Sequence, residues 1–160
     1  MRTILVPSIL GALALGCAPA SYVYNFDLTD PGARNLTKPG ERDTLEDADL
    51  KSEILVDPTS FQAVLLDLTN KTEQPLQVAW DQVSITGPDG TQSPLRPDVG
   101  AGAIEPGAKL VVRLIPFALP STGKLAAAYD GSTFELVVPV WVRGQARTLR
   151  YHLIAHTAKL

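Results

Sequence analysis

An all-β chain folded as an antiparallel sandwich is what the sequence predicts, and three observations carry that reading. Short apolar or alternating runs follow one another from Leu50 onward, breakers rich in Gly and Pro separate them, and no stretch keeps a helical period beyond about two turns. A length of 160 residues fits one domain of ordinary size.

The elements are read in chain order. Tyr22-Val23-Tyr24-Asn25-Phe26 alternates aromatic with smaller residues, the pattern of a short first strand, with a contact near a membrane surface as the other reading. Asp27 to Asp49 is polar and broken by Asp30-Pro31-Gly32 and Lys38-Pro39-Gly40, so residues 17–49 are expected to form that strand and an acidic tether, with the sandwich over 50–160. Ile54-Leu55-Val56, the turn Asp57-Pro58-Thr59-Ser60 and the apolar run Phe61 to Leu68 predict two neighbouring strands. Beyond the polar turn from Asn70 to Pro75, Leu76, Val78 and Trp80 alternate with Gln77, Ala79 and Asp81, which makes Trp80 a candidate core anchor on a middle strand.

Gly87-Pro88-Asp89-Gly90 reverses the chain into Gln92 to Leu95, where Pro94 and the nearby Pro97 predict an edge position. Glu105-Pro106-Gly107 leads into Lys109 to Ile115, with Leu110, Val112 and Leu114 sharing a face. Thr122 to Tyr129 is the best helical segment. Phe134 to Val142 and Arg147 to Ala155, joined across Arg143-Gly144-Gln145-Ala146, predict a terminal hairpin. Strands of this number and spacing point to an immunoglobulin-like arrangement, with a small barrel as the alternative.

Composition removes several function classes. The net charge of −3, from 14 basic and 17 acidic residues, argues against a broad basic surface for nucleic acid. One cysteine and two histidines are too few for a closed Cys/His zinc site or an intramolecular disulfide.

The N-terminus reads as an address. Met1-Arg2 is followed by an uncharged, mostly apolar run from Thr3 to Leu15. As a helix that run would reach about 20 Å, short of a hydrocarbon core of roughly 30 Å, so removal is expected rather than permanent spanning. Leu13-Ala14-Leu15-Gly16-Cys17 resembles the lipobox of bacterial lipoproteins. That resemblance implies a lipoprotein signal peptide over residues 1–16 and lipidation of Cys17, with palmitate among its acyl chains. Several acyl chains at about 0.8 kcal/mol per buried methylene anchor a protein stably where one does not. A secreted protein cut near Ala18-Pro19-Ala20 is the alternative. Ala18 in place of Asp implies the outer membrane, if the organism has one, by resemblance to enterobacterial sorting.

Leu68-Thr69-Asn70-Lys71-Thr72, Pro75-Leu76, Trp80-Asp81, Ile104-Glu105-Pro106-Gly107 and Ile115-Pro116 are similar to a diffuse group of small bacterial lipoproteins with immunoglobulin-like domains. The resemblance covers roughly residues 50 to 155 and rests on turn and core residues. It implies fold and location, not an activity.

The mature sequence holds no Gly-x-Ser-x-Gly, and Gly100-Ala101-Gly102-Ala103 lacks the Gly-Lys-Ser/Thr ending of a phosphate loop. His152 and His156 would share a strand face about 13 Å apart, too far to chelate one ion. Asp43, Asp47 and Asp49 lack the central glycine and closing glutamate of an EF-hand loop. No catalytic residue, cofactor or metal is therefore expected. Arg143, Arg147 and Arg150 form a candidate interaction surface opposite in sign to residues 27–57, a contrast that either steers a charged partner or pairs internally. Asn70, at a strand end, is expected to bond the following turn; its Asn-x-Thr sequence, like Asn35-Leu36-Thr37, is also a glycosylation sequon.

The expected protein is a non-enzymatic cell-envelope lipoprotein, held at the membrane by its N-terminal lipid, with an envelope protein as partner and no nucleic acid. The alternative is an extracytoplasmic accessory protein binding a small ligand between the sheets or near Trp141 and Tyr151.

Overall fold

The structure, a computed structural model, describes residues 19–29 and 42–160. The leader, Cys17, the breakers at Asp30-Pro31-Gly32 and Lys38-Pro39-Gly40, and Asn35 lie outside the described residues.

Two antiparallel sheets pack face to face, as an all-β sandwich requires. One has the order β1 (Tyr22–Leu28), β11 (Gln145–Lys159), β10 (Thr133–Val142), β6 (Ser84–Thr86), β7 (Gln92–Pro94), and the short β5 (Gln77–Val78) also pairs with β10. The other runs β2 (Asp43–Glu46), β3 (Leu50–Asp57), β4 (Ala63–Asn70), β9 (Lys109–Ile115), β8 (Arg96–Pro97). The single α-helix among the described residues, α1 (Gly123–Ala127), covers one end and buries Ala126.

Alternation explains which side chains meet. Leu50, Ser52, Ile54 and Val56 of β3 are buried, and each in-between residue is partly exposed. Leu136, Val138, Val140 and Val142 face inward from β10, as do Leu149, Tyr151, Leu153 and Ala155 from β11. Apolar area removed from water in this way is worth roughly 25 cal/mol per Å² and is the main force holding the layers together. Around α1 the core turns aromatic: Phe134 meets Phe26 edge-on at 5.6 Å between ring centres and Phe117 at 5.9 Å.

The hairpin turn between β10 and β11 is tight. Only Arg143 and Gly144 separate the strands, and both have positive φ, 51° and 73°. That handedness matches the twist of the flanking strands, and Gly144 supplies it without steric cost.

Three expectations are corrected. Trp80 is not a strand residue: β5 ends at Val78, and Trp80 opens a 3-10 turn, Trp80–Gln82, half-buried against the core. The alternation there is too short to hold a strand once Ala79 donates to Pro139 O and accepts from Gln82 N, both at 2.9 Å. The acidic segment is not wholly tether either. Asp43–Glu46 pairs with β3 in register Asp43↔Ile54, so Asp43 comes to lie on the inner face, its carboxylate accepting Leu28 N–H at 3.2 Å. Tyr22–Leu28 pairs with β11 along its whole length, so strands before residue 50 are built into both sheets.

Pro94 and Pro97 do sit at edges, one in each sheet. Between them the chain crosses from β7 to β8 at Leu95, which is fully buried.

Candidate functional site

The candidate cations divide into two settings. Arg143 stands at the β10–β11 turn and pairs with Asp49 at 2.8 Å; Arg147, four residues on, pairs with Asp47. Asp47 and Asp49 belong to the turn between β2 and β3, in the opposite sheet, so these two ion pairs clasp the layers at one end. The third, Arg150, lies on the outer face of β11 and pairs with Glu135 at 2.8 Å. The three arginines therefore do not form one surface, and the contrast in charge between the two halves of the chain is met at least in part by internal pairing.

Asp47 is fixed by more than Arg147. Its Oδ1 accepts the N–H of Asp49 at 2.8 Å and of Leu50 at 3.0 Å, and Lys71 donates to its carbonyl oxygen at 2.6 Å while also reaching Glu46 at 3.0 Å. Partial burial pushes the Asp47 carboxyl up, but the Arg147 hydrogen bond and the two backbone donors together hold it below the usual carboxylate value. A carboxylate held low stabilises the fold above its unfolded pKa of about 3.8, and that contribution is lost as pH falls through the lower, folded value. Arg147→Ala is accordingly expected to lower stability at neutral pH by no more than about 1 kcal/mol, because both side chains remain over a third exposed. Urea titrations of wild type and variant should converge as pH falls through the lowered folded-state pKa of Asp47, below which the carboxyl is protonated in both.

A second charged group lies on the outer face of the β2–β8 sheet. Asp67, on the central strand β4, is 3% exposed and pairs with Arg42 and with Lys109, the latter at 2.7 Å. Lys109 also reaches Glu53 at 3.3 Å, and Glu53 pairs with Lys51 at 2.9 Å. The hydrogen bond to Asp67 raises the Lys109 pKa, and the bond from Lys51 leads the effects that hold Glu53 low. In the sequence Asp67 is no more than a polar residue within the apolar run Phe61 to Leu68. Its partners come from β9 and from the residue before β2, and only register brings them together.

The histidines behave as separate surface groups. His152 Nε2 lies 3.3 Å from Glu135, and His156 Nε2 lies 3.3 Å from Asp27. Among the described residues no group of three His, Cys, Asp or Glu is arranged to hold a metal ion. Two serines are also committed to structure: Ser52 Oγ shares a 2.6 Å hydrogen bond with Tyr151, and Ser84 Oγ accepts from Gln92 at 2.7 Å.

A ligand cleft using both Trp141 and Tyr151 is not formed. Tyr151 is fully buried between the sheets, whereas Trp141, 40% exposed, points outward from β10. An open groove of about 550 Å³ instead crosses Thr86, Glu135, His152 and Ile154, and a smaller depression of about 230 Å³ adjoins it at Gly87 and Phe134. Among the described residues no helix is long and apolar enough to cross a membrane. No family model matches this chain, and neither the curated proteins nor the solved structures contain a match.

Proposed function

We propose that this chain is a lipid-anchored, non-enzymatic protein of the bacterial cell envelope, whose sandwich serves as a structural or protein-interaction module. The observation that carries the reading is Leu13-Ala14-Leu15-Gly16-Cys17 ending shortly before Ser21, the first residue in a β-bridge among those described. Cleavage after Gly16 would place Cys17 at the new N-terminus, where its thiol carries one lipid and the freed α-amino group can take a further acyl chain, and few residues then separate it from β1. The exit across a bilayer ends in an anchor, and the folded module is kept beside it. The internal pairing of Arg143, Arg147 and Arg150 supports a module whose charges serve mainly its own architecture. A partner's extended segment fits best along a sheet edge, where backbone groups offer hydrogen bonds without a preformed pocket.

Replacing Cys17 by Ser is expected to abolish incorporation of radiolabelled palmitate and to move the protein from the membrane fraction to the soluble one. Unchanged labelling would refute the anchor. For the module, a pull-down of the anchored form is expected to recover an envelope protein in stoichiometric amount. A thermal shift with envelope metabolites and no protein recovered would favour ligand binding instead.

A further inference from the structure

We propose that the end of the sandwich formed by α1 and the last residues of β11 rests on the phospholipid surface, with Leu125 and Leu160 at the headgroup layer and Lys124 and Lys159 among its phosphates. The inference rests on the anchoring at Cys17 proposed above and adds an orientation to it.

Backbone hydrogen bonds fix where the chain enters the fold. Gly123 N–H donates to Ala20 O at 2.9 Å, Tyr22 N–H to Ser121 O at 2.8 Å, and Leu160 N–H to Ser21 O at 2.9 Å. Ala20 and Ser21 are thus threaded between the start of α1 on one side and the end of β11 on the other. Only Ala18 and Pro19 lie between Cys17 and Ala20, three residue steps with a reach of at most about 11 Å. The headgroup region is about 5–8 Å thick on each side of the hydrocarbon. A lipidated Cys17 therefore leaves too little chain for the sandwich to turn its other end to the bilayer.

The side chains around this entry point suit such a surface. Leu125 is 64% and Leu160 78% exposed, the two most exposed large hydrophobic residues among those described. Lys124 precedes Leu125 on α1, and Lys159 is the register partner of Tyr22; both are exposed. The acidic side chain close by is Asp130, one oxygen of which accepts Thr157 N–H at 2.8 Å, so two lysines stand beside one carboxylate side chain. At the far end Arg143 and Arg147 are matched by Asp49 and Asp47, so the positive, apolar patch lies at the tethered end. A lysine near an anionic lipid surface raises binding about fivefold, and apolar side chains at the boundary add to it.

The test places tryptophan at Leu125 or at Gln145, the hairpin end, in separate variants of the acylated full-length protein reconstituted into vesicles of phosphatidylcholine with a minority of phosphatidylglycerol. A nitroxide on the lipid headgroup is expected to quench the fluorescence added by Leu125→Trp at least about twofold more than that added by Gln145→Trp. Joint Lys124→Glu and Lys159→Glu substitution should cut that preference by about half. Equal quenching, stronger quenching at 145, or a preference indifferent to the lysines overturns the proposal. Mass spectrometry of the same preparation reads the Cys17 modification separately. If the thiol is bare, the anchoring reading fails, and the same quenching is measured on the full chain coupled through Cys17 to a maleimide phospholipid, with the same outcomes deciding the orientation.

Discussion

Asn70→Ala is expected to destabilise the fold by about 3 kcal/mol, read as a lower urea midpoint with an unchanged slope. Asn70 is fully buried at the end of β4, and every hydrogen-bonding group of its side chain is used. Nδ2 donates to Gln74 O at 2.7 Å and Ile104 O at 2.8 Å; Oδ1 accepts from Thr72 N at 2.9 Å and Thr72 Oγ1 at 2.8 Å. Its backbone N–H reaches Ala108 O, and its carbonyl accepts Gly107 N–H, both at 3.0 Å. One residue thus ties the turn after β4 to the loop before β9. Four side-chain bonds at about 1 kcal/mol each set the scale. Part is recovered because Ile104 O keeps Leu76 N–H at 2.9 Å, and the single Thr72 hydroxyl proton, no longer claimed by Oδ1, can go to Gln74 O at 2.8 Å. Thr72 N–H loses its partner, and it belongs to a residue only 5% exposed. Asn70→Asp should cost more than Ala, since a carboxylate would face two carbonyl oxygens with no donor between them. A loss below about 1 kcal/mol for Ala would show that the two loops hold without it.

Tyr151→Ala is expected to cost about 4 kcal/mol, the usual scale for emptying the space of a buried aromatic ring. Tyr151 is among the largest fully buried side chains and spans the interface, its hydroxyl on β11 meeting Ser52 on β3 at 2.6 Å. Packing and polarity are separable here. Tyr151→Phe keeps the ring but leaves the buried Ser52 hydroxyl short of this partner, a cost of about 2 kcal/mol. Joining Ser52→Ala to Tyr151→Phe should cost less than the two changes added, with a coupling of about 1 kcal/mol or more in a double-mutant cycle. Strict additivity would mean that the hydrogen bond contributes nothing to holding the sheets together.

How much of this was legible in the sequence follows from the physics of each element. The terminal hairpin was plain because burial alternates along β10 and over the middle of β11, and Arg143-Gly144 sits where a turn must be. Asn70 was legible as a turn residue, since its bonds to Thr72 and Gln74 are local; its bond to Ile104 spans 34 residues and was not. Trp80 misled because three alternating residues fit a strand and a tight turn equally well. Asp43–Glu46 was hidden by its composition: an edge strand of four residues needs only a partner, and β3 supplies it. The arginines were singled out by sign alone. Their partners lie in a turn about 100 positions earlier for Arg147, so the separation into an end clasp and an outer-face pair depended on sheet order.

The crossing at Leu95 has a consequence for self-assembly. β7 and β8 close the same flank of the two layers, and each carries a proline that withholds a ladder donor. Among the described residues, the other flank ends in β1 and β2, which carry no proline. Lengthening a stack of copies by strand addition requires two receptive flanks per molecule, as in any head-to-tail fibre. With one flank blunted, pairing between copies is a meeting of like with like and stops at two. A crowded population of this protein is therefore built to resist polymerising along its own sheets.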